Sequence, residues 1–113
     1  MNINNSDKMS DITLIPLKHI YDVRKIIPKY QMAFFISKAR DKILDEDGSV
    51  LYFAYTLQDL RRLKNDLKED LLKEDLPHIR EITREFIETV DKLIAIYEKE
   101  DAYGMYIPTR YYR

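Results

Sequence analysis

The 113-residue sequence contains no cysteine and no tryptophan, only two glycines, and four prolines. The absence of cysteine excludes disulfides, thiolate nucleophiles and cysteine-based zinc sites. With charged residues at 35%, the scarcity of glycine favours exposed helices over a sandwich or barrel. No apolar run approaches the ~20 residues of a membrane span, and no signal-peptide pattern opens the chain. We therefore expect one soluble, cytoplasmic (intracellular) domain that does not bind a membrane.

Charge is divided unevenly along the chain, although the net charge is only −1. Residues 1–44 hold eight Lys/Arg and four Asp/Glu, a net +4, whereas residues 45–102 hold nine and sixteen, a net −7. A basic segment followed by an acidic one indicates a half that faces a polyanion joined to an acidic half. Chance scatter is the alternative, and the cations would then form an ordinary solvated face.

Helical periodicity dominates the N-terminal part. Pro16 precedes a predicted helix from Leu17, because proline near a helix start loses no hydrogen bond. Pro28 ends that helix, and a second one is predicted from Lys29, since apolar residues recur at helical spacing as far as Ile43. The apolar positions of the second helix are Met32, Phe35, Ile36, Ala39 and Ile43.

A turn, a short strand and a capped helix follow one another in the middle of the chain. Gly48 after the acidic residues 45–47 predicts the turn. Residues 50–55 are apolar and aromatic, which predicts a strand. Thr56 then opens a Thr-x-x-Asp capping motif with Asp59, so a helix is expected to begin here and to end before Pro77.

The last predicted helix runs from about residue 78 to 102 and ends at Gly104. It would be about 37 Å long at 1.5 Å per residue, more than a domain of this size can easily cover. Part of its apolar stripe is therefore expected to pack on a second copy, giving a homodimer. The predicted dimer interface consists of Ile79, Ile82, Phe86, Val90, Leu93 and Tyr97.

Residues 48–63, GSVLYFAYTLQDLRRL, carry a wing glycine and tyrosine followed by a Tyr-Thr-x-x-Asp-Leu-x-x-Leu helix start. They resemble the wing and following helix of the MerR and excisionase-type winged-helix DNA-binding proteins. Residues 17–23 resemble the first helix of that family, and residues 27–35 resemble its recognition helix. The resemblance covers about residues 15–67 and implies a winged helix that binds double-stranded DNA.

Departures from the family pattern affect phosphate contacts. Ala33 stands where the family has a phosphate-binding arginine, Val50 stands at the wing arginine, and Phe34 replaces a tyrosine. No bidentate arginine is available for guanine, so we expect salt-sensitive binding with weak sequence selectivity. The predicted nucleic-acid-binding residues are Lys18, Arg24, Lys25, Lys29, Gln31, Ser37, Lys38, Arg40 and Lys42.

Patterns typical of metal sites and of catalysis are weak. An EF-hand frame with Gly48 at its sixth position places Ile43 and Ala54 at two ligand positions, which disfavours calcium. Acidic residues around His78 have metal-site spacing, but Pro77 interrupts the helix that would align them. No Ser-His-Asp arrangement or phosphate-cradling glycine loop can be assembled. We expect no enzyme activity, no metal and no cofactor.

Together these features predict a mainly α fold, with a small winged-helix-like N-terminal half followed by a long helical hairpin that forms the dimerisation arm. Residues 1–11 are expected to be a disordered tail. Residues 12–102 are expected to form a single helical domain, winged-helix-like over 12–56 and a hairpin over 57–102. The Tyr/Arg-rich tail, residues 103–113, either stacks on single-stranded nucleic acid or a protein groove, or folds back over the bundle.

Two functions fit this description. The first is a small DNA-binding protein, a dimeric transcriptional regulator without an effector domain, from a virus or mobile element. The alternative is a helical protein-interaction module, an adaptor or inhibitor of a host protein, that acts through the acidic hairpin or the tyrosine-rich tail and does not bind nucleic acid.

Overall fold

A computed structural model describes residues 26–101 and 103–109 and shows an α+β fold. The described residues form three α-helices and one antiparallel sheet of three strands. The helices are α1 (Met32–Lys38), α2 (Leu57–Lys73) and α3 (Pro77–Lys99). The strands are β1 (Asp41–Leu44), β2 (Val50–Thr56) and β3 (Gly104–Pro108), in the spatial order β1-β2-β3. The helix predicted from Leu17 lies outside the described residues, and a 3₁₀ turn, Lys29–Gln31, precedes α1.

The predicted turn joins β1 to β2 and is built around Asp45 and Gly48. Gly48 has φ +85°, a conformation that glycine adopts without a Cβ penalty. Its N–H donates to the Asp45 carbonyl over 3.1 Å, and the Asp45 carboxylate accepts from the N–H groups of Asp47 and Ser49, each over 2.9 Å. The predictions of this turn and of the strand after it are confirmed.

The capped start of α2 is also confirmed. The Thr56 hydroxyl accepts from the Asp59 N–H over 2.9 Å, and the Asp59 carboxylate accepts from the Thr56 N–H over 3.0 Å. This reciprocal pair satisfies two N–H groups that have no partner inside the helix. No helix of the described residues is long and apolar enough to cross a membrane.

One face of the sheet packs on the helices because side chains alternate along each strand. Phe53 and Tyr55 of β2 lie opposite Ile107 and Met105 of β3, and all four are buried. Leucines of α2 and the central part of α3 complete this core. The Tyr97 hydroxyl donates to the Tyr55 carbonyl over 3.0 Å, and burial raises the pKa of Tyr97 well above its ordinary value of 10.0.

The prediction of a mainly α fold, with a winged-helix-like half and a helical hairpin arm, is wrong. The segment after α3 supplies a third strand, and the sheet is one layer of the core. Local periodicity could not reveal this, because β3 is five residues long and its partner Tyr55 precedes Met105 by fifty positions. Gly104, which is predicted to end the last helix, is the first residue of β3.

The second predicted helix is shorter than its apolar spacing suggests. It ends at Lys38, and Ala39 is extended with ψ 146°. The Arg40 N–H donates to the Ala54 carbonyl over 3.0 Å. The chain therefore joins the sheet at a point where the apolar spacing predicted that the helix would continue to Ile43. Pairing with β2 replaces helical hydrogen bonds over residues 41–44, an outcome set by tertiary contacts that local apolar spacing does not report.

Candidate functional site

A pocket of about 190 Å³ lies where the end of α1 and the start of β1 meet α2. Cationic and acidic side chains surround it, and its wall contains one tyrosine and one leucine. The lining residues are Lys38, Arg40, Tyr55, Asp59, Arg62, Leu63 and Asp66. We call this set the basic pocket, because cations outnumber carboxylates by three to two.

Local structure explains why these residues meet. Lys38 is the last residue of α1, and Arg40 directly precedes β1. The bond from the Arg40 N–H to the Ala54 carbonyl holds this segment beside β2. On α2, the four pocket residues are spaced at i, i+3, i+4 and i+7 from Asp59, which places them on one helix face.

Asp59 connects the two arginines of the pocket. Its Oδ1 lies 3.6 Å from Arg40 Nη1 and 3.5 Å from Arg62 Nη1, while its Oδ2 accepts from the Thr56 N–H. The two arginine distances exceed those of ordinary N–H···O bonds, and each guanidinium carries five donors. Both arginines therefore keep donors for a ligand, while Asp59 is fixed by its capping role.

The remaining polar groups of the pocket differ in their availability. The Tyr55 hydroxyl donates to the Phe35 carbonyl, so it is already used inside the fold. Lys38 and Asp66 form no ion pair of 4.0 Å or less with any residue that the structure describes. An anion in the pocket would therefore meet three cationic side chains, of which Lys38 has no ion pair within the described residues. It would also meet two carboxylates, whose repulsion disfavours an anion of high charge.

The structure describes six of the nine predicted nucleic-acid-binding residues and places five of them on the surface. The exposed ones are Lys29, Ser37, Lys38, Arg40 and Lys42. Gln31 is only 1% exposed, and its side-chain oxygen accepts from the Thr89 hydroxyl over 2.7 Å. It therefore lies in the interior and has no access to a base edge. Lys18, Arg24 and Lys25 lie outside the described residues.

The residues predicted to form a dimer interface differ in how deeply they are buried. Val90, Leu93 and Tyr97 are fully buried in the core of the same chain, where they pack beneath the sheet. Ile79 and Phe86 are half-buried, and the Phe86 ring stacks on Phe34 with centroids 4.2 Å apart. Ile82 is 41% exposed. The part of the predicted interface formed by Val90, Leu93 and Tyr97 is therefore already covered within the same chain.

Arg62 is the cation of the basic pocket that is absent from the predicted nucleic-acid-binding residues. It lies in the acidic half of the chain, outside the basic segment from which the nucleic-acid-binding residues are predicted. Its spacing of three from Asp59 did indicate a shared helix face. The meeting of that face with Lys38 and Arg40 depends on how α2 packs beside β1, which no local pattern reports.

Comparison with known proteins adds no candidate identity for the site. Within the described residues, no group of three or more histidine or acidic side chains is arranged to hold a metal ion. No protein-family model, curated protein or solved structure matches the chain.

Proposed function

We propose that this chain is a small DNA-binding protein, a dimeric transcriptional regulator without an effector domain. The observation that carries the proposal is a row of exposed cations that begins with Lys38 at the end of α1, continues with Arg40 and Lys42 at the start of the edge strand β1, and is joined by Arg62 from α2. Alternation along the strand directs Arg40 and Lys42 to the same side. A row of this kind suits a phosphate backbone.

The proposed mode of binding is electrostatic, with little reading of bases. Ser37 and Lys38 are the exposed residues from the predicted base-reading set, and the Ser37 hydroxyl already donates to the Phe34 carbonyl over 2.7 Å. Phosphate contacts carry no sequence information directly. The resemblance of residues 48–63 to the wing and following helix of the MerR and excisionase-type proteins supports DNA as the polyanion, although the overall fold is not a winged helix.

The dimer in this proposal would use the exposed part of the α3 stripe. Ile82 is its most exposed member, with the half-buried Ile79 and Phe86 beside it. Light scattering should show a dimer at micromolar concentration, and Ile82→Glu should shift it to the monomer. A strict monomer for the unchanged protein would contradict the dimer and leave DNA binding to be judged separately.

Fluorescence anisotropy of a labelled random 25-base-pair duplex tests DNA binding. We expect tight binding at about 20 mM salt that weakens steeply toward about 150 mM, because counterions are released from the duplex. The double variant Lys38→Glu, Lys42→Glu should lose most of this affinity. Lys68→Glu is the control, because Lys68 is an exposed lysine of α2 outside the pocket. Absence of binding at low salt would reject the proposal.

A protein-interaction module is the second candidate. It is favoured by exposed apolar side chains where α2 ends and α3 begins, the connected end of the hairpin that these two packed helices form. Leu72 is 86% exposed and Leu76 is 54% exposed, and residues 69–75 around them hold four acidic side chains and one lysine. This surface would suit a partner with an apolar groove rimmed by cations. The module predicts no duplex binding and a captured partner that is lost with the double variant Leu72→Ser, Leu76→Ser.

A further inference from the structure

We propose that the basic pocket holds one phosphodiester group of the nucleic-acid backbone, clamped between Arg40 and Arg62. This inference rests on the proposed DNA binding and assigns a defined contact to it. The two guanidinium groups approach the same Asp59 oxygen at 3.6 and 3.5 Å, so they lie close enough to share one small anion. Lys38 adds an ammonium group at the same pocket.

Donor capacity favours an oxyanion at this position. Neither arginine uses its full set of N–H groups on Asp59, and forked guanidinium donors match the oxygens of a phosphate. The volume of about 190 Å³ exceeds the ~30 Å³ share of one water molecule. The pocket therefore has both the donors and the room for a phosphate group.

Asp59 explains why the arginines are in place before a ligand arrives. Its carboxylate is anchored by the Thr56 N–H at the start of α2 and attracts both guanidinium groups toward the pocket. Side chains held in position lose less conformational freedom on binding. Asp59 thus acts as a positioning residue that contacts the arginines and need not contact the phosphate.

The two carboxylates also indicate which phosphate fits. Asp59 and Asp66 offset much of the charge of Lys38, Arg40 and Arg62. A phosphodiester carries one negative charge, whereas a phosphomonoester carries about 1.5 to 2 near pH 7. The added repulsion disfavours the dianion, and the apolar wall of Tyr55 and Leu63 suits the sugar that a diester brings. The backbone of a nucleic acid supplies both features.

Substitution of Arg62 tests this contact at about 150 mM salt with the same 25-base-pair duplex. We expect Arg62→Ala to weaken binding about tenfold, as for loss of a charge-assisted hydrogen bond. It should also reduce the slope of log affinity against log salt by about one. Arg61→Ala is the matched control, because Arg61 is the adjacent arginine and pairs with Glu98 over 2.9 Å outside the pocket. Its slope should not change.

A gain in affinity separates the inference from a folding defect. Asp66→Asn removes a carboxylate that faces the proposed phosphate and should tighten duplex binding severalfold, an increase that misfolding cannot produce. Asp70→Asn makes the same change outside the pocket, about 6 Å further along α2, and should give a smaller gain, because the charge that it removes is farther from the phosphate.

The outcomes distinguish the pocket from the function. Duplex binding that is equal for Arg62→Ala and Arg61→Ala, or unchanged by Asp66→Asn, would overturn the phosphate contact and leave DNA binding intact. No duplex binding by the unchanged protein would reject the function and the contact together. Competition by inorganic phosphate beyond that of chloride at equal ionic strength would show a free-phosphate site and overturn the assignment to the backbone.

Discussion

Gln31 shows at the scale of one residue how burial changes a functional assignment. On a helical wheel it stands beside a predicted base-reading face, and an amide is a suitable partner for adenine. The structure instead buries it against α3, where its side-chain oxygen accepts from the Thr89 hydroxyl over 2.7 Å. A polar group in the interior needs such a partner, because water no longer supplies one. The amide therefore joins the 3₁₀ turn before α1 to α3.

Thr89→Val is expected to destabilise the protein by about 1–3 kcal/mol, because the valine keeps the shape of threonine and leaves the Gln31 oxygen without its donor. Urea unfolding followed by circular dichroism measures the change. The double variant Gln31→Met, Thr89→Val should recover part of the loss, since both polar partners are then removed. Strictly additive losses would contradict a direct bond between the two side chains.

Tyr97 and Tyr55 make stability depend on alkaline pH. Burial raises the pKa of both phenols in the folded chain above their ordinary value of 10.0, so only the unfolded chain ionises them just above that pH. The unfolded state then binds fewer protons, and the free energy of unfolding falls as pH rises. Below pH 10 both states are protonated and this effect vanishes.

We expect Tyr97→Phe to lower stability by about 1 kcal/mol at neutral pH, through loss of the bond to the Tyr55 carbonyl. Between pH 10 and 11 its stability should fall less steeply than that of the unchanged protein, by up to about 1.4 kcal/mol per pH unit. Urea midpoints from pH 8 to 11 measure both effects. An identical steepness in the two proteins would contradict the assignment to Tyr97.

Elements differ in how much of their structure can be predicted from sequence. The turn at Gly48 and the cap at Thr56 are local devices in which the partners lie within four residues, and both were predicted correctly. The end of α1 and the existence of β3 depend on partners in β2 that are distant in sequence. The same limit applies to the basic pocket. Lys38 and Arg40 were predicted as nucleic-acid-binding residues, whereas the position of Arg62 beside them depends on how α2 packs.

The contribution of β3 can be measured through Ile107, which is 1% exposed and lies opposite Phe53. Ile107→Ala should cost about 2–5 kcal/mol, because it removes buried methyl groups and leaves a cavity in the core. Tyr103→Ala, just before the strand at an exposed position, should change stability by less than about 0.5 kcal/mol. Chemical denaturation of both variants gives the comparison. Similar small losses would mean that β3 does not contribute to the core as described.

At the scale of the whole molecule, we expect the basic pocket to attract the duplex in the proposed DNA binding and the acidic end of the α2–α3 hairpin to repel it. Asp75 lies two residues beyond Lys73, the last residue of α2, and the part of α2 from Asp66 to Lys73 alone spans roughly 10 Å at 1.5 Å per residue. This exceeds the Debye length of about 8 Å at 0.15 M salt but lies well within the 30 Å expected at 0.01 M. The hairpin should therefore repel a duplex bound at the pocket only when salt is low.

Asp75→Lys tests this range of action. At about 10 mM salt we expect duplex affinity to rise severalfold, because a repulsive charge becomes attractive within the screening distance. At about 150 mM the rise should be less than twofold, whereas the gain from Asp66→Asn inside the pocket should persist, since close charges are screened less. Anisotropy titrations of both variants at the two salt concentrations measure the contrast. A gain for Asp75→Lys that survives high salt would instead place the duplex against the end of the hairpin, away from the basic pocket.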